Sequence, residues 1–514
     1  MRAPHRAAVT AFVCLAAAQA WAAPVRPTVA IPQETVEADR AQTIEILVRL
    51  AADAARPVPP SERPPLNLAL VIDRSGSMAE IGKLTHAREA AKRVVRALTP
   101  RDRISVVEYD DRVTVLWPGG PATAPEAVAR AIDTLTPRGN TNLAGGMRRG
   151  IEEVLAGWSP RAIHRVLLLT DGLANEGVTA PDAIARLAGA GRERGARVTT
   201  MGLGAHYDED LLARVAEAGG GRYYFIESPE QMARIFEEEI HGMRATVARN
   251  LILRFDGDAC VRDVEILGYP SQTRGARTEA PMEDLPAGED RSMLLRLRTR
   301  AVPAGPVRLG TVSLGYDDAL TGERVTWREV VTVAASADPA RRAASVNKDA
   351  AAEAVLIDAD ARHRKALESF AAGRADEAQA AIETLRGEVA ERNAALGDVA
   401  LSKKAEALSL EAESLPAAAA ATAEDRSVYL KKGKQRAAEG VKGRRDLYLL
   451  EPGASGAQVE RLQGALRDRG IYQGPADGDY DEDVAQAVRR LQEREHLEAD
   501  GVAGPRTLKA LGLY

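Results

Sequence analysis

The sequence predicts a multi-domain protein: a doubly wound α/β domain inserted in a β-sandwich, then an α-helical region and a small three-helix domain. Three observations predict this class. Short apolar segments alternate with helical patterns over residues 61–243, which indicates a mostly parallel sheet with helices on both faces. The flanking segments, residues 23–60 and 244–336, alternate polar with apolar residues, as antiparallel strands with one wet face do. From residue 345 onward the patterns are helical.

The composition is that of a soluble globular protein. The 514 residues are 45% hydrophobic and 28% charged, with a net charge of -5. A chain of this length holds about three or four domains. The charge balance gives no reason to expect nucleic acid as a partner. Aromatic residues make up only 4% of the chain, so stacking platforms for bases are not expected either.

Residues 1–22 are predicted to be a secretion signal. Arg2 and Arg6 flank a short apolar core, Ala7–Ala18, and residues 20–22 form a small-x-small cleavage site. The alternative is a membrane anchor, but the apolar run is too short to span a bilayer comfortably. No later stretch of the sequence predicts a transmembrane segment. We therefore expect cleavage near Ala22 and export.

After cleavage the chain would keep one cysteine, Cys260, so no intramolecular disulfide is expected. Its flanks suggest a strand, which favours a buried structural thiol. The alanine- and arginine-rich composition of an exported chain without disulfides is typical of a bacterial envelope protein. The expected location is the periplasm or the cell wall.

The elements of the α/β domain follow from apolar runs and helical periodicity. Strands are predicted at 66–72, 103–109, 112–116, 166–170 and 198–202, and helices at 85–98, 125–135, 143–155, 181–190 and 208–218. The Asp110-Asp111 turn suits a hairpin between the second and third strands. Ligand sites of such sheets lie beyond the carboxyl ends of the strands, and Asp73 lies at such an end.

The strands of residues 23–60 are too few to build a core alone. We therefore expect them to complete one β-sandwich with strands at 250–255, 292–297, 307–315 and 325–333. Residues 345–415 are predicted to form a helical hairpin turning at Gly373, which resembles a single tetratricopeptide-type hairpin and serves as a spacer.

A low-complexity stretch beginning at Pro416 predicts a linker over residues 416–450. It carries a basic patch, which is either a solvated helix face or a surface for an anionic wall polymer or lipid. The patch consists of Lys431, Lys432, Lys434, Arg436, Lys442, Arg444 and Arg445.

Residues 451–514 contain a half-repeat. Asp477-Gly478 and Asp500-Gly501 each make a tight turn followed by a short helix. Ahead of both, an apolar stripe runs along one helix through Val459, Leu462 and Leu466. Three short helices around a small core follow from this pattern.

Oxygen-bearing side chains follow three segments of the α/β domain. Asp73, Ser75 and Ser77 leave one strand end, Thr141 lies in a polar loop that opens a helix, and Asp171 ends the strand at 166–170. Hydroxyls with a few carboxylates suit Mg2+ or Mn2+. The Asp-x-Ser-x-Ser string alone would equally serve as a strand-to-helix turn with an N-cap.

These residues resemble the von Willebrand factor type A (VWA) domain, whose metal-ion-dependent adhesion site combines Asp-x-Ser-x-Ser, a threonine loop and a later aspartate. The likeness spans roughly Leu66 to Gly242 in the family's order. It implies that Ser75, Ser77 and Thr141 coordinate directly, while Asp73 and Asp171 act partly through water. Mg2+ is the expected ion, with Mn2+ or Ca2+ as alternatives, and a partner protein's Asp or Glu would fill an open position. Asn140 stands where the family often has glycine, which affects loop shape.

The C-terminal residues resemble the three-helix peptidoglycan-binding domain of bacterial wall-associated proteins. The matching segments are Val459-x-x-Leu462-Gln463-x-x-Leu466, Gly470-Ile471-Tyr472, Asp477-Gly478-Asp479-Tyr480, Ala487-Val488-x-x-Leu491-Gln492 and Asp500-Gly501-Val502-x-Gly504-Pro505-x-Thr507. The likeness implies peptidoglycan as a ligand, with Tyr472, Asp479 and Tyr480 as candidate contacts.

The leading functional hypothesis is an exported, non-catalytic protein that is tethered to the wall and binds a protein partner through a metal. A wall hydrolase is the alternative from another class, and a periplasmic assembly factor is a third. The histidines outside the signal show no zinc-binding spacing, and no Gly-x-Ser-x-Gly elbow occurs. They are His86, His164, His206, His241, His363 and His496. No catalytic residue is therefore assigned.

Overall fold

The computed structural model describes residues 23–53, 62–80, 82–444, 450–454, 456–497 and 499–513. The predicted signal segment and Arg445 of the basic patch lie outside the described residues. Across the described ranges, none of the helices is both long enough and apolar enough to cross a bilayer.

Three strands precede the α/β domain: β1 (Val25–Ala30), β2 (Thr35–Glu37) and β3 (Thr43–Ala52). The domain itself comprises β4 (Leu66–Asp73), α1 (Lys83–Ala97), β5 (Arg103–Tyr109), β6 (Val113–Pro121), α2 (Pro125–Asp133), α3 (Leu143–Ala156), β7 (Ile163–Thr170), α4 (Pro181–Glu193), β8 (Arg197–Leu203), α5 (Glu209–Gly219), β9 (Gly220–Ile226) and α6 (Met232–Arg244). A short 3-10 turn, Gly76–Ala79, lies between β4 and α1.

The α/β sheet has the order β6-β5-β4-β7-β8-β9. Its strands run parallel except β6, which pairs antiparallel with β5 in the predicted hairpin. The central strands β4, β7 and β8 are buried along their whole length, because helices cover both faces. The sequence reasoning missed β9 and α6, although the aromatic run of β9 is typical of a strand.

Eight strands follow: β10 (Thr246–Gly257), β11 (Val261–Ile266), β12 (Gln272–Arg274), β13 (Arg277–Pro281), β14 (Leu285–Pro286), β15 (Asp290–Thr299), β16 (Gly305–Asp318) and β17 (Arg324–Ser336). One sheet has the order β1-β3-β15-β11, and the other has β12-β13-β10-β16-β17-β2, with β14 beside β10. The strands before and after the α/β domain thus share two sheets. Their inward side chains form one core, from Val25 to Ala335. The predicted insertion of the α/β domain in a β-sandwich is confirmed.

Cys260 lies in the turn before β11 rather than in a strand, and it is half-buried. Its Sγ lies 3.4 Å from the carbonyl oxygen of Arg308. The expectation of a strand at Cys260 is therefore wrong, because a turn separates β10 from β11 at this point.

The helical region consists of α7 (Pro339–Ala343), α8 (Lys348–Ala371), α9 (Ala375–Leu396), α10 (Val399–Ala420) and α11 (Ala423–Val441). The hairpin of α8 and α9 turns at Gly373, whose φ of +80° lies in the left-handed region that glycine tolerates. The linker predicted from Pro416 onward is wrong. Alanine is the strongest helix former, so the alanine-rich stretch continues α10, and Pro416 removes only one helical hydrogen bond.

Most of the described residues of the basic patch are neither solvated nor open to an anionic polymer, because they pair inside the molecule. Lys431 is 1% exposed and bonds the Tyr207 carbonyl and Glu209. Four further residues form ion pairs, Lys432 with Glu227, Lys434 with Glu209 and Asp210, Lys442 with Glu283, and Arg444 with Glu289. The patch therefore holds α11 against the α/β domain and the sandwich.

The C-terminal domain contains α12 (Ala457–Asp468), α13 (Glu482–Arg494) and α14 (Pro505–Ala510) around one small core. In each half-repeat a fully buried glutamine holds the Asp-Gly turn. Gln463 accepts from Gly478 N–H and donates to Asp477, each at 2.8 Å. Gln492 does the same at the second turn, with 2.9 Å to Gly501 N and 2.8 Å to Asp500.

Candidate metal centre

The site begins where two neighbouring parallel strands end. Asp73 is the last residue of β4, and Thr170 is the last of β7. Because the two strands pair in parallel, these ends meet, and Thr170 Oγ1 donates to Asp73 Oδ2 at 2.6 Å. Asp171 follows immediately. Both carboxylates are 0% exposed, so the strand pairing places two buried negative groups side by side.

The turn after β4 places Ser75 and Ser77 beside the two carboxylates. Ser75 N–H donates to Asp73 Oδ1 at 2.8 Å, and the Oγ atoms of Ser75 and Ser77 are 3.1 Å apart. Ser77 Oγ donates to Asp171 Oδ1 at 2.6 Å. The backbone N–H of Ser75 and the hydroxyls of Ser75 and Ser77 thus connect the two carboxylates.

Thr141 completes the group. A Cβ atom placed on Gly172 would lie 3.4 Å from both Ser77 Oγ and Thr141 Oγ1, so the two hydroxyls face the same backbone atom. The structure therefore brings together all five residues that the sequence singled out on three separate segments.

The threonine loop is fixed by a residue that the sequence reasoning missed. Asn175 Oδ1 accepts from Thr141 N–H at 2.8 Å, and Asn175 N–H donates back to the Thr141 carbonyl at 3.2 Å. Asn140 is exposed, with Nδ2 3.5 Å from Glu176 Oε2. The sequence signal that could have revealed Asn175 is the spacing Asp-Gly-x-x-Asn directly after a buried strand.

A neighbouring ion network holds the loops around the site. Asp110 accepts from Arg74 Nε and Arg138 Nε, each at 2.7 Å. Burial opposes ionisation of Asp110, yet the bonds from Arg138, Arg112 N–H and Arg74 hold its pKa well below the usual range. The loop that follows β4 and the loop that carries Thr141 are therefore linked through one carboxylate.

The electrostatics of the site fit a hard divalent cation. Burial raises the pKa of Asp73 to about 6, against the lowering effect of hydrogen bonds from Thr170 and Ser75. A bound cation would favour the ionised carboxylate. Two carboxylates with three hydroxyls form an oxygen donor set of the kind Mg2+ and Mn2+ take with water. Within the described ranges there is no metal-binding cluster of three or more His, Cys, Asp or Glu side chains.

Comparison with known proteins identifies the family. Residues 67–238 match the von Willebrand factor type A domain, and residues 455–511 match a peptidoglycan binding domain. An uncharacterized protein of Synechocystis sp. is 30% identical over 293 residues, which cover 55% of this chain and 69% of that protein. The chain belongs to the VWA-domain proteins. VWA domains commonly bind a divalent metal.

Other relatives match this chain over part of its length. The uncharacterized protein YfbK of Escherichia coli is 29% identical over 46% of this chain and 42% of its own length. The VWA protein of Catenulispora acidiphila superposes with a TM-score of 0.59 at 20% identity, over 71% of this chain and 87% of that one. The ArnB paralog VWA2 of Sulfolobus acidocaldarius gives 0.52 at 15% identity, over 82% and 99%. At these identities the two structures show the fold.

The C-terminal domain has its own relative. The N-acetylmuramoyl-L-alanine amidase CwlL of Bacillus licheniformis is 43% identical over 65 residues, which cover 12% of this chain and 18% of that protein. The likeness is confined to the peptidoglycan-binding region. VWA domains are typically non-catalytic.

The three candidate wall contacts differ in position. Tyr472 is 5% and Tyr480 is 2% exposed, both inside the domain core, and Tyr480 Oη donates to the Gly501 carbonyl at 2.9 Å. Asp479 is exposed. Both tyrosines therefore stabilise the domain, and of the three only Asp479 offers its side chain to a ligand.

Proposed function

We propose that this chain is an exported, non-catalytic VWA protein that binds a protein partner through a divalent metal and is tethered to the cell wall by its C-terminal domain. The observation that carries the proposal is the convergence of five oxygen-bearing side chains at one sheet edge. They are Asp73, Ser75, Ser77, Thr141 and Asp171.

Mg2+ is the proposed ion, with Mn2+ and Ca2+ as alternatives of the same ligand preference. Ser75, Ser77 and Thr141 would hold it directly, and Asp73 and Asp171 would act partly through water. When bound, the metal supplies a Lewis-acidic position for an Asp or Glu of the partner. Because the protein supplies only two carboxylates, a divalent ion would not be over-neutralised.

An apolar rim beside the site supports a protein as the partner. Leu173 is 57% exposed and Val178 is 45% exposed, and both lie on the loop that follows Asp171. Large exposed apolar side chains next to a polar site are typical of protein interfaces. The proposed partner surface therefore presents a carboxylate with an apolar residue beside it.

Metal binding is tested by calorimetry with Mg2+ and Mn2+ on the wild type, Ser77→Ala and Thr141→Ala. Each variant should bind at least about tenfold more weakly, since each removes a direct ligand. Thr134→Ala is the matched control, because its exposed hydroxyl bonds only the Ala131 carbonyl. Equal affinities in all four proteins would contradict the assignment.

Partner binding is tested by capture from envelope extract with and without EDTA. Partners should be lost with EDTA and with Thr141→Ala, and weakened by Leu173→Ala. Retention under every condition would exclude a metal bridge.

The wall tether and the absence of catalysis need separate measurements. Truncation at Glu451 should abolish co-sedimentation with purified sacculi, and unchanged sedimentation would refute the tether.

In zymography on purified wall we expect no lytic band. A clear band would instead favour the wall-hydrolase alternative. Secretion of a reporter fused to residues 1–22 tests export.

A further inference from the structure

Lys83 places a buried ammonium group beside the metal-site carboxylates. It is the first residue of α1, and its Nζ lies 2.8 Å from Asp171 Oδ2 and 2.7 Å from Glu80 Oε2. The residue is 7% exposed. Lysine is almost never so buried unless it is paired, so the carboxylates account for its position.

The ion pair fixes the orientation of Asp171. Oδ2 is held by Lys83, and Oδ1 accepts from Ser77 Oγ at 2.6 Å. Rotating the plane of the carboxylate away from this orientation would break its buried ion pair with Lys83, which is costly. Lys83 thus keeps one carboxylate oxygen of Asp171 directed at the Ser77 hydroxyl.

Lys83 also changes the charge of the site. Within the part of the chain that the structure describes, it is the one basic side chain that forms an ion pair with either Asp73 or Asp171. With both carboxylates ionised, these three side chains carry one net negative charge. A divalent ion would then leave the site with one net positive charge, whereas without Lys83 it would be neutral.

We propose that Lys83 is a positioning residue and fixed cation of the metal site, which weakens metal binding and strengthens the binding of an anionic ligand to the bound metal. This inference rests on the proposed function. The physical reason is that a fixed positive charge repels a metal cation and attracts a carboxylate, and both effects are large where water is excluded. As a result, the site favours the metal bound together with an acidic ligand over the metal bound alone.

The test uses Lys83→Met, which keeps the length of the side chain and removes its charge. Mn2+ affinity is measured by electron paramagnetic resonance. The binding of acetate to the Mn2+-saturated protein is followed by water-proton relaxation, because acetate displaces metal-bound water. The variant should bind Mn2+ at least about tenfold more tightly and acetate at least about threefold more weakly.

Two further variants separate charge from structure. Lys92→Met removes another α1 lysine, which pairs with Glu89 and Asp133, and should leave both affinities unchanged. Glu80→Gln keeps Lys83 but removes its second carboxylate, so Mn2+ should bind about twofold more weakly and acetate more tightly. Because that carboxylate is 59% exposed, this variant tests the proposal even if Lys83→Met does not fold.

The outcomes are distinguishable. If the wild type binds no Mn2+, the proposed function itself is wrong. If the wild type binds Mn2+ and Lys83→Met binds it equally or more weakly, the role of Lys83 is overturned while the metal site stands. A purely structural role would lower the melting temperature without moving the two affinities in opposite directions.

Discussion

The ends of the neighbouring strands β7 and β8, on the same edge of the α/β sheet, differ in how their polar groups are paired. Beyond β7, at what we call the open end, Asp171 and the hydroxyls form a largely buried site, and the loop that follows exposes Leu173 and Val178. Beyond β8, the segment from Ala205 to Asp210 is covered by α11, where Ser427, Lys431 and Lys434 bond its carbonyls and carboxylates.

The difference shows how one edge can serve both binding and stability. At the covered end, the Ala205 carbonyl accepts from the Ser427 hydroxyl, and Lys431 and Lys434 pair with Glu209, so these polar groups are satisfied by a distant segment. At the open end Lys83 pairs with Asp171, and Asp73 remains buried without a basic partner of its own among the described residues. The covered end should stabilise the fold, whereas the open end costs stability that a bound metal would restore.

The largest expected effect is at the covered end. Lys431→Met combined with Lys434→Met leaves Glu209, whose side chain is 18% exposed, without its cations, which should lower the free energy of unfolding by about 3 kcal/mol. Urea denaturation measures the loss. Limited proteolysis should then cut near α11, which a merely local effect on α5 would not cause.

The next effect concerns pH at the open end. In the metal-free protein, burial raises the pKa of Asp73 from 3.8 to about 6. The folded state therefore binds a proton more tightly than the unfolded chain, and this group adds stability as pH falls through that range. The gain should reach about 2 kcal/mol between pH 6 and pH 4.

This dependence is checked by urea denaturation in EDTA against Asp73→Asn, whose amide does not titrate. The stability of the wild type relative to that of Asp73→Asn should fall as the pH is raised through about 6. A constant difference would show that Asp73 titrates normally. Metal affinity should fall as pH drops below about 6, because the proton competes for the same carboxylate.

A smaller effect on stability is expected for Thr141→Ala. Without metal, the loss of one hydroxyl should change the free energy of unfolding by about 1 kcal/mol or less. With saturating Mg2+ the wild type should gain stability that the variant lacks. Thermal melts in EDTA and in Mg2+ measure the two changes in stability. If Mg2+ raised the melting temperature of both proteins equally, Thr141 would not be a metal ligand.

The smallest effect should come from Lys432→Ala on α11. Its ion pair with Glu227 is 35% and 40% exposed at the two side chains. Exposed ion pairs contribute little, about 0–1 kcal/mol, so the urea midpoint should barely move. A loss of stability as large as that caused by replacing Lys431 and Lys434 would mean that burial does not explain the difference between these ion pairs.

Much of the α/β domain could be predicted because its signals are local. The run from Leu66 to Ile72 is apolar and branched, and it is β4. The five metal-site residues are recognisable because each follows a predicted strand or opens a predicted helix. Asn175 and Lys83 were missed because their roles depend on contacts with residues far along the chain.

The region after Pro416 shows where local signals fail. Its lysines and alanines are compatible with a linker, a solvated helix or a helix docked by ion pairs. The carboxylates that decide among these lie more than two hundred residues earlier for Lys431, at a sequence separation of 222. The same local composition is therefore compatible with different structures, and the distant residues that it contacts decide among them.

The sequence by itself determined the order of the domains, the strands that carry the metal-site residues and the half-repeat at the C-terminus. Periodicity, turn residues and spacing are properties of short segments, so they need no tertiary information. Only the tertiary structure decided that Lys83 holds Asp171, that α11 covers the end of β8, and that Tyr472 and Tyr480 are core residues. These outcomes depend on which charges and apolar surfaces meet when distant segments pack together.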